Sequence, residues 1–217
     1  MKTILLGILI LFLFSCNNEV KKVSVLPYIG NYDLEYRMVD GKEIADTVYP
    51  KMIEFSFLNE DSVRITSKQM KGKVWIADFF FVNCPTICPS MTKNLKKLND
   101  ATKDIADEVQ FMSFSINPKR DTPSQLRRYK KKYKITAKNW YFFTGKEDFT
   151  HDLGINHFQI FAGQDPESAG GYAHSGAFTL VDKEGYVRGV YMGTEPKEVK
   201  RLEKELRKLL KYEYNVN

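Results

Sequence analysis

An α/β fold, with a largely parallel sheet and a β-hairpin added on its N-terminal side, follows from three observations. Val74 to Val82 is apolar on both faces apart from Asp78, as in a strand covered on both sides. Apolar strand-like runs then alternate with amphipathic helical stretches as far as Gly154. A last strand pair and a helix close the chain, so parallel crossovers give way to an antiparallel edge.

Each element has its own signal. Asp33 to Val39 and Lys42 to Tyr49 read as a hairpin turning on Asp40-Gly41, and Pro50 ends it. Ile53 to Leu58 and Ser62 to Thr66 read as a second strand pair around Asn59-Glu60-Asp61. The central strand from Val74 leads into Cys84-Pro85-Thr86-Ile87-Cys88-Pro89, and Met91, Leu95, Leu98, Ala101 and Ile105 then recur at helical spacing. Pro89 suggests that this helix starts there, with Cys88 as its cap. Val109 to Ile116 is the next apolar strand. Thr122 with Pro123 is a helix-start signal, and that helix runs to about Tyr133.

Its cluster Arg127 to Lys132 reads as solvated surface, with a docking patch for an acidic partner as the alternative. Trp140 to Thr144 is strand-like, Lys146 to Gly154 a short helix stopped by its glycine, and His157 to Phe161 a short strand. A loop, Gly163 to Gly171, delivers Tyr172 to Ser175. Phe178 to Asp182 and Tyr186 to Tyr191 form a hairpin, and Glu195-Pro196 opens the last helix. This order suggests a thioredoxin-like layered sheet with an N-terminal β addition.

The 217 residues are 43% hydrophobic and 28% charged, as in an ordinary folded domain with a full core. Net charge is +6; without Lys2 it is +5, from 32 basic and 27 acidic residues. That modest excess fits a basic surface or attraction to anionic lipid headgroups rather than nucleic-acid binding.

Residues 1–15 read as a leader, not as fold. Lys2 precedes an apolar run, Ile4 to Phe14, too short for a spanning helix and suited to a secretory signal. It ends in Leu13-Phe14-Ser15-Cys16, which resembles the lipobox of bacterial lipoproteins, with a bulky Phe14. Cys16 is then an acylated membrane anchor, residues 16–26 a tether, and 27–217 one domain. The alternative is cleavage nearby with a free Cys16.

With Cys16 lipidated, Cys84 and Cys88 remain as a pair. They sit where a core strand hands over to a helix N-terminus, which favours thiolates. Outside the cytoplasm such a pair forms a disulfide or binds a soft metal. Two thiolates want a further ligand, and the chain has three histidines. His151 lies on a charged helix and reads as surface, and His157 in a strand reads as structural. His174, after a Gly-Gly loop, is a candidate third ligand. Asp78, a carboxylate in a buried strand, is either salt-bridged or partly exposed, or it assists proton transfer at the thiols, as its resemblance in position to the buried aspartate of thioredoxins implies.

The segments F-F-F-V-N-C-P-T-I-C-P, N-P-K-R-D-T-P and H-S-G-A-F-T-L-V-D resemble the SCO/SenC family over about residues 50–212. The resemblance implies a copper protein that helps assemble the copper centre of cytochrome c oxidase, with Cys84, Cys88 and His174 as copper ligands. It implies the oxidase's copper-bearing subunit as partner, together with other periplasmic copper carriers or thiol reductants. It also implies an extracytoplasmic, periplasm-facing site on the membrane. Two departures stand out: Ala173 and Asn117 occupy places where many members have an acidic residue.

Competing with the copper carrier is a partner-specific thiol–disulfide oxidoreductase using Cys84 and Cys88 as its redox pair. General thioredoxins have C-x₂-C and a proline before the facing strand, whereas here the spacing is C-x₃-C and His174 to Ala177 lacks proline. A peroxiredoxin-type peroxidase is disfavoured by the missing P-x-x-x-T-x-x-C pattern around Cys84. A structural surface lipoprotein with an incidental disulfide is the fourth class.

Overall fold

The computed structural model describes residues 24–216. The leader expected at residues 1–15 and the candidate anchor Cys16 lie outside them.

A seven-stranded sheet forms the body, in the order β11-β10-β5-β6-β7-β3-β4. At its centre β5 (Val74–Phe80), β6 (Val109–Ser115) and β7 (Trp140–Thr144) run parallel. The helices α1 (Cys88–Ala101) and α2 (Pro123–Lys132) make the two crossovers between them. Both β5 and β6 are buried at every position, so both faces of the sheet are covered. On one side β10 (Ala177–Val181) pairs antiparallel with β5, and β11 (Val187–Met192) with β10. On the other, β3 (Ser56–Asn59) pairs antiparallel with β7, and β4 (Arg64–Thr66) with β3. The second expected strand pair is therefore an edge of the main sheet. The last helix, α4 (Pro196–Tyr214), buries Leu202, Leu206 and Leu209.

The hairpin β1 (Asp33–Val39) and β2 (Lys42–Val48) forms as expected, with Asp40 at φ 50° and Gly41 at φ 73° in its turn. Positive φ at both central residues is what the twist of a two-residue turn requires. The hairpin makes its own two-stranded sheet, exposed on both faces.

Several expectations shift. Cys88 is the first residue of α1 and Ile87 its cap, because a proline fits the first turn of a helix without losing a needed N–H. The short helix α3 (Glu147–Asp152) does not stop at Gly154 but runs on through a wider, π-type turn, Leu153–His157. Gly154 is there for space, since a Cβ would lie 3.1 Å from the Ile160 carbonyl oxygen and the Phe79 ring. The strand expected at His157 to Phe161 is absent. The chain forms a strand only just beyond that stretch, as β8 (Ala162–Gln164), paired with β9 (Tyr172–His174) in a separate ribbon. His151 is half-buried and hydrogen-bonds the Ile116 carbonyl through Nε2 at 2.9 Å, so it is not simply solvated. Part of the basic cluster is structural: Arg127 donates to Asp61 and the Glu60 carbonyl, and Lys130 pairs with Glu60. Arg128, Lys131 and Lys132 remain exposed.

The chain enters this body through Arg188, which is fully buried on β11. Its guanidinium pairs with Asp182 at 2.8 Å and Glu213 at 2.7 Å. It also donates to Ser24 Oγ and to the Leu26 and Pro27 carbonyls. Residues 24–26, which read as tether, are thus already held by the fold.

Candidate metal centre

The site is built at the C-terminal end of the parallel strands, where β5 runs out and α1 begins. The Val82 N–H donates to the Asp121 carboxylate at 3.0 Å, which ties the cysteine loop to the start of α2. Asp121 also accepts from Ser115 Oγ at 2.6 Å, and Ser115 Oγ accepts from the Asn117 N–H. Cys84 is 8% exposed and Cys88 1%, and both are free thiols.

The third element is the ribbon β8–β9, which brings His174 over the loop. Its cross-strand pairs are Ala162 with His174, Gly163 with Ala173 and Gln164 with Tyr172. The connecting loop lies on Phe81 because Gly170 has no side chain; at φ 93° its Cβ would fall 2.8 Å from the Phe81 ring. Phe81 then stands edge-on to the His174 ring at 6.3 Å.

As a result Cys88 Sγ lies 3.1 Å from His174 Nε2, and the ligand atoms of Cys84, Cys88 and His174 all lie within 4.8 Å of one another. All three residues singled out in the sequence therefore converge. His151 and His157 belong to no such cluster among the described residues.

The sulfurs are electrostatically unequal. A hydrogen bond from Cys88 pulls Cys84 well below the ordinary thiol range; burial opposes this, and His174 and Thr86 assist it. Cys88 is pushed up, because its hydrogen bond to Cys84 and its burial both favour the protonated form. The pair thus shares one proton and readily holds one negative charge. Asp78 is fully buried and has no cationic partner among the described residues; Ser113 Oγ donates to it at 2.5 Å. Burial raises its carboxyl to about 7, only partly offset by Ser113. The salt-bridged or exposed Asp78 considered from sequence is not what the fold contains. The charge of Asp78 also contributes to raising Cys88.

Residues 45–211 match the family model described as SCO1/SenC. The chain belongs to the SCO1/SenC family. It is 33% identical over 156 residues to the SCO1 protein homolog of Bacillus subtilis, covering 71% of this chain and 80% of that protein. A SCO1/SenC family lipoprotein from Bacillus anthracis superposes with a TM-score of 0.67 at 32% identity, covering 73% of this chain and 94% of that one. BsSco, described with a disulfide switch and as one of the Sco family of cytochrome c oxidase assembly proteins, superposes at 0.64 with 31% identity over 72% and 91%. Bradyrhizobium japonicum ScoI with copper bound shares the fold, with a TM-score of 0.61 at 19% identity over 73% and 99%. The thioredoxin-like α/β layout is therefore that of the SCO1/SenC proteins.

Within this SCO1/SenC frame the donor set is soft: two sulfurs and one imidazole suit copper better than a hard cation. His174 Nδ1 is buried without a hydrogen-bond partner among the described residues, so one ring nitrogen remains available. The two departures are spatially modest. Ala173 faces Gly163 in the ribbon, and Asn117 is buried beside Ser115.

Sequence reasoning passed over several supporting groups. Thr86 Oγ1 sits 3.5 Å from Cys84 Sγ. The Asp121 brace lies inside the D-T-P segment, whose helix-start role hid its second one. Glu147, which holds the ribbon through Tyr172, has no signal in the sequence.

Proposed function

We propose that this chain is a copper carrier that binds copper through Cys84, Cys88 and His174 and supplies it to the copper-bearing subunit of cytochrome c oxidase. The convergence of three soft donors within 4.8 Å, from two distant parts of the chain, carries this reading. The low-lying Cys84 thiol offers a thiolate at neutral pH, and copper displaces the shared proton from Cys88. Delivery then proceeds by ligand exchange with a partner bearing its own sulfur and imidazole ligands.

The reading includes a setting. Cys16 is acylated and anchors the chain to the membrane, with residues 1–15 removed and the domain on the periplasmic side. Among the described residues no helix is long and apolar enough to cross a membrane, which is compatible with a lipid anchor.

The test is titration of the reduced protein with copper. A 1:1 complex with sulfur-to-copper charge-transfer absorption is expected; absence of both defeats the reading.

A second reading, a thiol–disulfide oxidoreductase specific for this partner, is favoured by one observation: the two free thiols are adjacent, and one is strongly acidified. The same sulfurs serve both roles in turn: reducing a client disulfide to two thiols leaves Cys84 and Cys88 joined as a disulfide, and an external dithiol must reduce that bond before the pair carries copper. Turnover of a disulfide-bonded peptide bearing the client's cysteines, lost in Cys84→Ser, distinguishes it from copper transfer alone.

A further inference from the structure

We propose that Glu147 is a positioning residue for the metal site, a latch that holds the His174 ribbon closed over the two cysteines. The proposal rests on the copper-site reading above and adds how one of its ligands is placed.

His174 lies at the end of β9, and among the described residues β9 pairs only with β8. The ribbon has three residues in each strand and joins no larger sheet among the described residues. Such a ribbon does not hold itself in water, so its place over the cysteines depends on side-chain ties to the body. Gln164 and Tyr172 are cross-strand partners within it. Both donate to one atom: Gln164 Nε2 lies 2.6 Å and Tyr172 Oη 2.8 Å from Glu147 Oε1. The other carboxylate oxygen takes Lys119 Nζ at 3.2 Å, from the loop after β6.

Glu147 is the first residue of α3, and its side chain is only 11% exposed. Burial alone pushes its carboxyl up, but Gln164, Tyr172 and Lys119 outweigh burial and hold it below the usual range. The contacts are therefore charge-assisted hydrogen bonds, stronger than neutral ones.

Strand geometry links this contact to the metal ligand. Tyr172 and His174 are two apart and project from the same face of β9. Phe81 touches both rings, at 5.7 Å from Tyr172 and 6.3 Å from His174. A rotation of the ribbon that pulls Tyr172 from Glu147 also swings His174 away from Cys88. The Ser175 N–H bond to the Phe161 carbonyl, 3.0 Å, closes the ribbon's base and leaves it a hinge rather than a free loop.

The experiment compares Glu147→Ala, Glu147→Gln, Tyr172→Phe and the Ala/Phe double variant in two measurements. Tyr172→Phe keeps the ring on Phe81 and removes only the hydroxyl bond, so it decides the matter should Glu147→Ala fail to fold. The first measurement is the His174 imidazole NMR signal in the copper-free protein, which needs no metal. The second is the rate at which Cu(I) passes from the loaded protein to bathocuproine disulfonate. Shifted or broadened His174 signals are expected in Glu147→Ala and Tyr172→Phe, with release at least tenfold faster and thermal midpoints close to wild type. Glu147→Gln, which keeps an acceptor oxygen, falls between, and the double variant releases no faster than the worse single one. Wild-type His174 signals and release rates in both Glu147→Ala and Tyr172→Phe overturn the latch. Should the wild-type protein take up no copper, the copper-site reading falls, and the imidazole signals still decide the latch.

Discussion

Cys88 Sγ and His174 Nε2 meet at 3.1 Å although 86 positions separate them in the chain. The thiol comes from the first turn of α1 and the imidazole from the ribbon β8–β9, so the contact exists only in the folded protein.

His174→Ala is therefore expected to weaken copper binding by at least about a hundredfold, since losing even an outer partner of a metal ligand costs ten- to a hundredfold. Cys84→Ser or Cys88→Ser should do the same and also remove the sulfur-to-copper charge-transfer band. Competition against a chelator of known affinity checks all three. An unchanged affinity in His174→Ala removes that residue from the site.

Asp78 should make stability depend on pH. Unfolded, its carboxyl titrates near the ordinary aspartate value of 3.8; folded, burial raises it to about 7. Between these values the folded protein keeps a proton that the unfolded chain has lost. Stability from this group therefore falls as pH rises from about 4 to about 7, then levels off. The difference between the folded and unfolded carboxyl corresponds to about 4 kcal/mol. Asp78→Asn is expected to abolish this slope, leaving stability near wild type at pH 4 and raising it by up to that amount at pH 8. Urea unfolding at the two pH values checks it. Because the charge of Asp78 helps raise Cys88, the same variant should make the Cys88 thiol more acidic. Thiol alkylation rates against pH report that effect.

The parts legible in the sequence were those set by local rules. Asp40-Gly41 marks a turn whose φ values few other pairs accept, and Thr122-Pro123 marks a helix start whatever surrounds it. The cysteine pair was readable because a buried strand ends beside it. His174 was readable because a Gly-Gly loop delivers it. The segment after α3 was not. Its wider turn at Leu153–His157 and the late pairing of β8 with β9 depend on Gly154 packing against Phe79 and the Ile160 carbonyl. That packing is tertiary, and no periodicity announces it. The burial of Asp78 without a cation was hidden for a similar reason, because Ser113 lies on the neighbouring strand.

Asp121→Ala should loosen the cysteine loop from outside it. The substitution leaves the Val82 N–H and Ser115 hydroxyl without their acceptor. An abandoned buried donor costs about 1–3 kcal/mol, so a loss of that order in unfolding free energy is expected. Hydrogen exchange at the Val82 amide should also quicken. Protection equal to wild type would show that the loop is held by other contacts.

Arg188→Met is expected to cost about 3–5 kcal/mol, because it removes the buried guanidinium that pairs with both Asp182 and Glu213. Chemical denaturation measures the loss. Copper binding by the folded fraction should be unaffected, since Arg188 lies level with Trp75 and Ile76, at the far end of β5 from the cysteines.

That placement has a mechanical consequence. Among the described residues, Ser24 and Leu26 are tied to the body through Arg188, which β11 carries and α4 holds through Glu213. Four or five strand residues, about 15 Å, separate that point of attachment from the outlet of β5. Under the proposed anchoring at Cys16, load would be borne at one pole of the molecule, and the pole carrying Cys84, Cys88 and His174 would be left free to swivel.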